Sequence, residues 1–111
     1  MMSEFLPGKD NQRASREPSA IGGKAKWWET AEEHRFALEV LQLRLRRQIL
    51  KYIAAGTRSK EEIGREFDLS IFLTEYHLAM MEKALVIEQA LDGYRATETG
   101  LLYLEKVESG D

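Results

Sequence analysis

Residues 59–104 read SKEEIGREFDLSIFLTEYHLAMMEKALVIEQALDGYRATETGLLYL, and the fold is decided there. Ser59-Lys60-Glu61-Glu62 is a capping box, in which the serine hydroxyl and a glutamate carboxylate each take a backbone N–H that a helix start leaves without a partner. It predicts a short helix over residues 60–67, with Ile63 and Phe67 one turn apart and facing inward. Asp68-Leu69 makes the turn, and Ser70 suits the N-cap of the next helix. That helix spans residues 71–83, with Leu78, Met81 and Leu85 at helical spacing and Thr74 one turn earlier, all facing the core. Residues 86–91 and 94–97 flank Asp92-Gly93, a two-residue loop suited to a type I′ turn whose twist matches a hairpin. Thr97-Glu98-Thr99-Gly100 opens a last helix whose apolar face is Leu101, Leu102, Leu104 and Val107.

Helix, tight turn, helix, ribbon and helix is the order of a winged helix-turn-helix domain. The predicted fold class is therefore mainly α with a small two-stranded β-wing, preceded by a long N-terminal helix. In most such domains the helix at residues 71–83 enters the major groove of double-stranded DNA. Here it is acidic and apolar (Ile71, Phe72, Leu73, Glu75) where DNA readers are usually basic or polar.

Working outward, no glycine or proline occurs from Thr30 to Ala55. Thr30-Ala31-Glu32-Glu33 is another capping box, and Gly56 suits a left-handed C-cap. A continuous helix over residues 30–55 would run about 25 residues, or roughly 37 Å. It carries two apolar stripes, Phe36, Val40, Leu43 and Leu50 on one side, and Leu38, Leu41, Leu45, Ile49, Tyr52 and Ile53 on the other. One stripe buries against the domain's own core. The second, with Trp27 and Trp28, needs a partner, because large exposed apolar patches mark interfaces. That makes residues 27–42 a homodimerisation extension, with Trp27, Trp28, Phe36, Val40 and Leu43 at the interface. The alternative is a helix broken near Glu39 or Gln42 that folds back on its own core. Residues 1–26 hold both prolines and no periodicity, and read as a mobile tail. Lys9, Arg13, Arg16, Lys24 and Lys26 make it either a weak DNA-clasping arm or a plain leader.

The 111 residues suffice for one domain, 27–111, and a tail; 43% hydrophobic and 32% charged residues suit a globular chain. Apolar runs are too short for a membrane span, and residues 1–23 lack a signal-peptide core, so a cytoplasmic protein is expected. There is no cysteine, which excludes disulfides, thiolate metal sites and cysteine nucleophiles. Residues 1–58 hold 11 Lys/Arg against 7 Asp/Glu, and residues 59–111 hold 5 against 12. An acidic pI near 5.5 argues against a non-specific nucleic-acid binder, since phosphate contacts supply most of that affinity. His34 and His77 have no second ligand at metal spacing, and no nucleophile triad or phosphate loop appears; no cofactor, metal or enzyme activity is expected.

Three segments resemble ArsR-like winged-helix regulators. Residues 43–53, Leu43-Arg44-Leu45-Arg46-Arg47-Gln48-Ile49-Leu50-Lys51-Tyr52-Ile53, are similar to the family's opening helix. Glu75-Tyr76-His77-Leu78 followed by Met81-Glu82-Lys83-Ala84-Leu85-Val86 resembles its recognition helix and exit. Tyr94-Arg95-Ala96-Thr97-Glu98-Thr99-Gly100 resembles the Tyr-x-Leu-Thr-x-x-Gly close of its wing. The resemblance covers residues 40–107 and implies the fold and DNA binding as a transcriptional regulator. The chain departs from the pattern at Ala84, where the family has a helix-ending glycine, at Ile71, Phe72 and Leu73, where it has small polar residues, and at Glu75. His77 matches a family histidine that packs and hydrogen-bonds within the fold.

The candidate nucleic-acid contacts are Arg58 and Lys60 at the start of the second helix, Ser70, Phe72, Leu73, Glu75 and Tyr76 on the helix 71–83, and Arg95 on the wing. Arg58, Lys60 and Arg95 suit phosphates, while Glu75 suits cytosine N4 but is repelled by phosphate. Arg44, Arg46, Arg47 and Lys51 read as ordinary solvated charge. Two functions fit. One is a homodimeric DNA-binding regulator reading a two-fold operator. The other is a winged-helix interaction module whose apolar helix face docks a protein.

Overall fold

Both capping boxes anticipated at Thr30 and Ser59 are present in the computed structural model, which describes residues 27–109. Glu33 N–H donates to Thr30 Oγ1 at 3.0 Å, Thr30 N–H to Glu33 Oε1 at 3.3 Å, and α1 follows over Ala31–Val40. Ser59 N–H donates to Glu62 Oε1 at 2.8 Å, and α3 runs over Lys60–Glu66. Ser70 Oγ accepts from Leu73 N–H at 3.2 Å and starts α4, Ile71–Lys83. Between α1 and α3 lies α2, Arg44–Ala54; beyond α4 come β1, Ile87–Ala90, β2, Gly93–Ala96, and α5, Glu98–Ser109.

The continuous helix over 30–55 does not form. The chain breaks between Val40 and Arg44, near Gln42, as in the fold-back alternative. Two guanidinium groups from α2 satisfy carbonyls left open at and just beyond the end of α1. Arg46 Nη1 donates to the Val40 carbonyl at 3.2 Å, and Arg47 Nη1 donates to those of Leu41 and Gln42 at 2.7 and 2.9 Å. A helix end leaves such carbonyls without partners, and charged donors satisfy them well. The break also lets both apolar stripes enter one core. Val40 and Leu50 from the first, and Leu41, Ile49 and Ile53 from the second, are all buried there with Ile63, Leu78, Met81, Val86, Tyr103 and Leu104. Leu38 and Leu43 stay exposed. On α5 Leu104 faces inward as expected and Tyr103 joins it, while Leu101 and Val107, also expected on the apolar face, are exposed.

Two helices end on residues in the left-handed region. Asp68 has φ 56° and Leu85 φ 68°. At the end of α4, Val86 N–H bonds the Met81 carbonyl at 3.2 Å and Leu85 N–H bonds that of Glu82 at 2.9 Å. This closure needs a positive φ, a conformation glycine adopts without strain. The glycine-like position is thus Leu85, one residue after Ala84, and its side chain turns outward instead of joining the core. Gly56, by contrast, follows α2 without a positive φ and is no left-handed cap.

The ribbon is antiparallel, with Ile87 opposite Ala96, Glu88 opposite Arg95, Gln89 opposite Tyr94 and Ala90 opposite Gly93. The loop is therefore Leu91-Asp92, one residue earlier than expected, and neither loop residue has the positive φ of a type I′ turn. Gly93 is drawn into β2 by a third segment. Arg58 and Tyr94 exchange backbone hydrogen bonds of 3.0 and 2.8 Å, and a Cβ on Gly93 would stand 2.2 Å from the Arg58 carbonyl oxygen. Gly100 is equally constrained: Cβ there would lie 2.2 Å from the Val86 carbonyl oxygen. Thr97 anchors the same junction. Its hydroxyl donates to the Leu85 carbonyl at 2.7 Å and accepts from Gly100 N–H at 3.0 Å.

Candidate nucleic-acid interface

Helix α4 is seated by Thr74, His77, Leu78 and Met81, spaced so that one face is buried. Its first two turns project. Ile71, Leu73 and Tyr76 are about half exposed and Phe72 is 82% exposed, the highest value on the helix's large apolar side chains. Leu91, at the ribbon tip, is also fully solvated. This is the solvent-presented rod with a β-ribbon beside it that the sequence order predicts.

The orientation of that rod depends on a residue read from the sequence as solvated charge. Arg46 is only 5% exposed. Its Nε donates to His77 Nδ1 at 3.0 Å, its Nη1 reaches the Val40 carbonyl, and its guanidinium carbon lies 5.5 Å from the centre of the Tyr76 ring. One side chain on α2 thereby ties the end of α1 to two successive residues of α4. Burial and the nearby Arg46 charge push His77 below the usual histidine range, so its ring stays a neutral acceptor. His77 therefore packs and bonds inside the fold. A signal for Arg46 was available: it stands three residues before Ile49 and four before Leu50, on the buried stripe of α2.

The predicted cations are all engaged. Lys60 Nζ lies 2.8 Å from Glu75 Oε2, and the hydrogen bond to that carboxylate raises the lysine above its ordinary value. Tyr94 is close enough to feel both charges, although burial is the main cause of its raised pKa, with Glu82 next. Arg58 is half-buried; its guanidinium covers the Tyr52 ring at 4.1 Å and its Nε donates to the Tyr52 carbonyl at 3.2 Å. Arg95 pairs with the directly opposite Glu88 at 2.8 Å. Opposed residues share a face of a ribbon and neighbours alternate. Gln89 and Tyr94 face α4, where Gln89 donates to Glu82 Oε2 at 3.3 Å; Glu88 and Arg95 occupy the other face. The structure thus brings Lys60, Glu75 and Tyr94 together and leaves Arg95 apart. Ser70 is spent on the cap, its carbonyl also accepting from Thr74 Oγ1 at 2.8 Å.

Of the expected dimer contacts, Trp28 and Val40 belong to the chain's own core, at 7% and 2% exposure. Trp28 stacks on His34 with ring centres 5.0 Å apart and donates from Nε1 to the Ala84 carbonyl at 2.7 Å. Trp27 and Phe36 pack partly against the core and Leu43 is exposed. Among the described residues no His/Cys/Asp/Glu cluster could hold a metal, and no helix is long and apolar enough to cross a membrane. The basic residues assigned to the tail at 1–26 lie outside the described residues.

No family model and no curated protein matches the chain. Among solved structures it is similar to the solution structure of the homodimeric winged helix-turn-helix DNA-binding domain of a possible ArsR-family transcriptional regulator from Mycobacterium bovis. The two share 21% identity with a TM-score of 0.61, over 71% of this chain and 80% of that one. The likeness establishes the fold: five helices and a two-stranded wing in winged helix-turn-helix order.

Proposed function

We propose that this protein is a homodimeric, DNA-binding transcriptional regulator that places α4 in the major groove. The observation that carries the reading is the projection of Ile71 to Tyr76 beside the β1–β2 ribbon, on a helix whose opposite face is locked into the core. The fold-level likeness to a DNA-binding domain supports it. Lys60 and Arg95 supply phosphate contacts by exchanging Glu75 and Glu88 for phosphate oxygens. Both pairs are solvent-accessible, and exposed ion pairs hold their partners weakly. Leu38, Leu43, Leu101 and Val107 are exposed, and Trp27 and Phe36 partly so, which leaves apolar side chains for a second copy to cover. A two-fold dimer would read half-sites about one helical turn apart. The reading carries with it a cytoplasmic location, shared with the DNA, and no catalytic role.

Binding to mixed duplex DNA across a salt series tests it, with light scattering for the dimer. Affinity at about 50 mM salt that falls linearly with log salt is expected. Absent binding, or binding without a salt slope, would leave the second reading, a protein-docking module. That reading draws on the exposed Phe72 and on the neutralised state of Lys60 and Arg95.

A further inference from the structure

We infer that the reading surface of α4 recognises pyrimidine C5-methyl groups, so that the ligand is duplex DNA presenting thymine methyls in the major groove of each half-site. The inference rests on the DNA-binding reading above and adds what is read. The major groove offers hydrogen-bond donors and acceptors and one apolar group, the C5-methyl. The projecting turns of α4 offer almost no hydrogen-bonding equipment in return. Ile71, Phe72, Leu73 and Tyr76 are exposed there, and no guanidinium, ammonium or carboxamide stands among residues 71–76 to grip a purine edge. The single carboxylate, Glu75, pairs with Lys60 at 2.8 Å in the free protein and, being acceptor-only, finds no partner on the O6/N7 edge of guanine. Apart from the Tyr76 hydroxyl, what remains is apolar surface, and in a groove its one apolar counterpart is the methyl.

Geometry agrees with the chemistry. Phe72 and Tyr76 are one turn apart, so they share a face at a separation of about 6 Å, a span of two base-pair steps. Tyr76 is held in place by the Arg46 guanidinium beneath its ring, and Arg46 is fixed in turn by His77. The reading pair is therefore one braced ring and one free ring, with Ile71 and Leu73 flanking. Exposed apolar side chains clustered in this way are costly in water and mark a contact surface.

The test begins by enriching duplexes for the full chain from a random library. In the enriched sequence each thymine is then replaced singly by deoxyuridine, which deletes the C5-methyl and leaves base pairing intact. Affinity should fall about fourfold for each contacted methyl, and about fifteenfold for two. Placing 5-methylcytosine in a neighbouring C·G pair reports whether the methyl alone is read. Phe72 is too exposed to be needed for folding, so Phe72→Ala should lose much of the thymine-over-deoxyuridine preference while retaining the salt slope. Equal affinity for thymine and deoxyuridine duplexes, or an undiminished preference in Phe72→Ala, overturns the inference and leaves DNA binding standing. Failure to enrich any duplex at about 50 mM salt overturns both.

Discussion

Alanine at Gly100 turns the packing of the wing against α5 into a measurable sign. Within a helix, Gly→Ala ordinarily stabilises by about 1 kcal/mol because alanine restricts the unfolded chain. Here the added Cβ would sit 2.2 Å from the Val86 carbonyl oxygen, and real Cβ atoms keep at least 3.0 Å, so the junction must open by about 0.8 Å. That carbonyl accepts Thr97 N–H at 3.0 Å, and Thr97 in turn caps α5, so neither side can move without straining the other. Overpacking costs about 1–3 kcal/mol and a weakened hydrogen bond about 1 kcal/mol, against about 1 kcal/mol of helix propensity regained. The expected net is a loss of about 2 kcal/mol, which lowers Tm by roughly 8–16 °C for a domain of this size. Thermal unfolding followed by circular dichroism reads this directly. Gly56→Ala is the control: a Cβ there meets nothing within 4 Å, so its Tm should hold or rise slightly as the unfolded chain is restricted. A Gly100→Ala protein as stable as the parent, or more stable, would refute the close approach of Val86 to α5.

Three further outcomes are expected. Because His77 sits below the usual histidine range in the fold, its contribution is present above about pH 6.5 and is lost as pH falls through its folded value. Urea unfolding between pH 7.5 and 5 should show this decline, and His77→Asn, which keeps an acceptor for Arg46 but cannot protonate, should flatten it. At Leu85, with φ 68°, the usual order reverses: Leu85→Gly should be more stable than Leu85→Ala by about 1 kcal/mol in denaturant titrations, and the opposite order would refute the left-handed helix end. Lys60→Ala and Arg95→Ala should each reduce the salt slope of DNA binding by about 0.9, and a slope unchanged in either removes that residue as a phosphate contact.

Features legible in the chain and features that were not differ in the range of the interactions that set them. Ser59/Glu62, Thr30/Glu33 and Ser70 cap their helices as anticipated because each cap is closed within three residues. The seating of α4 by Thr74, Leu78 and Met81 followed from helical spacing for the same reason. The candidate site was only partly legible. Phe72, Leu73 and Tyr76 are exposed where the pattern put them. Arg58, Lys60 and Arg95 stood out as charges, but their partners Tyr52, Glu75 and Glu88 are 6, 15 and 7 residues away in the chain. No local rule pairs them. Arg46 was missed because its partner His77 is 31 residues away and on another helix.

Order of elements, helix starts and the existence of the ribbon were written in short-range chemistry, where hydrogen-bond donors find acceptors within a turn. The break after Val40, the loop at Leu91-Asp92, the outward Leu85 and the separation of Arg95 from Lys60 belong to the folded molecule. Each is settled by a contact beyond the reach of a single helical turn: Arg46 and Arg47 with the end of α1, five or six residues back, Arg58 with Tyr94, and the α4 exit with Thr97. The break wins because folding back buries apolar side chains from both stripes in one core, which outweighs the few helical bonds given up once guanidinium groups satisfy the freed carbonyls.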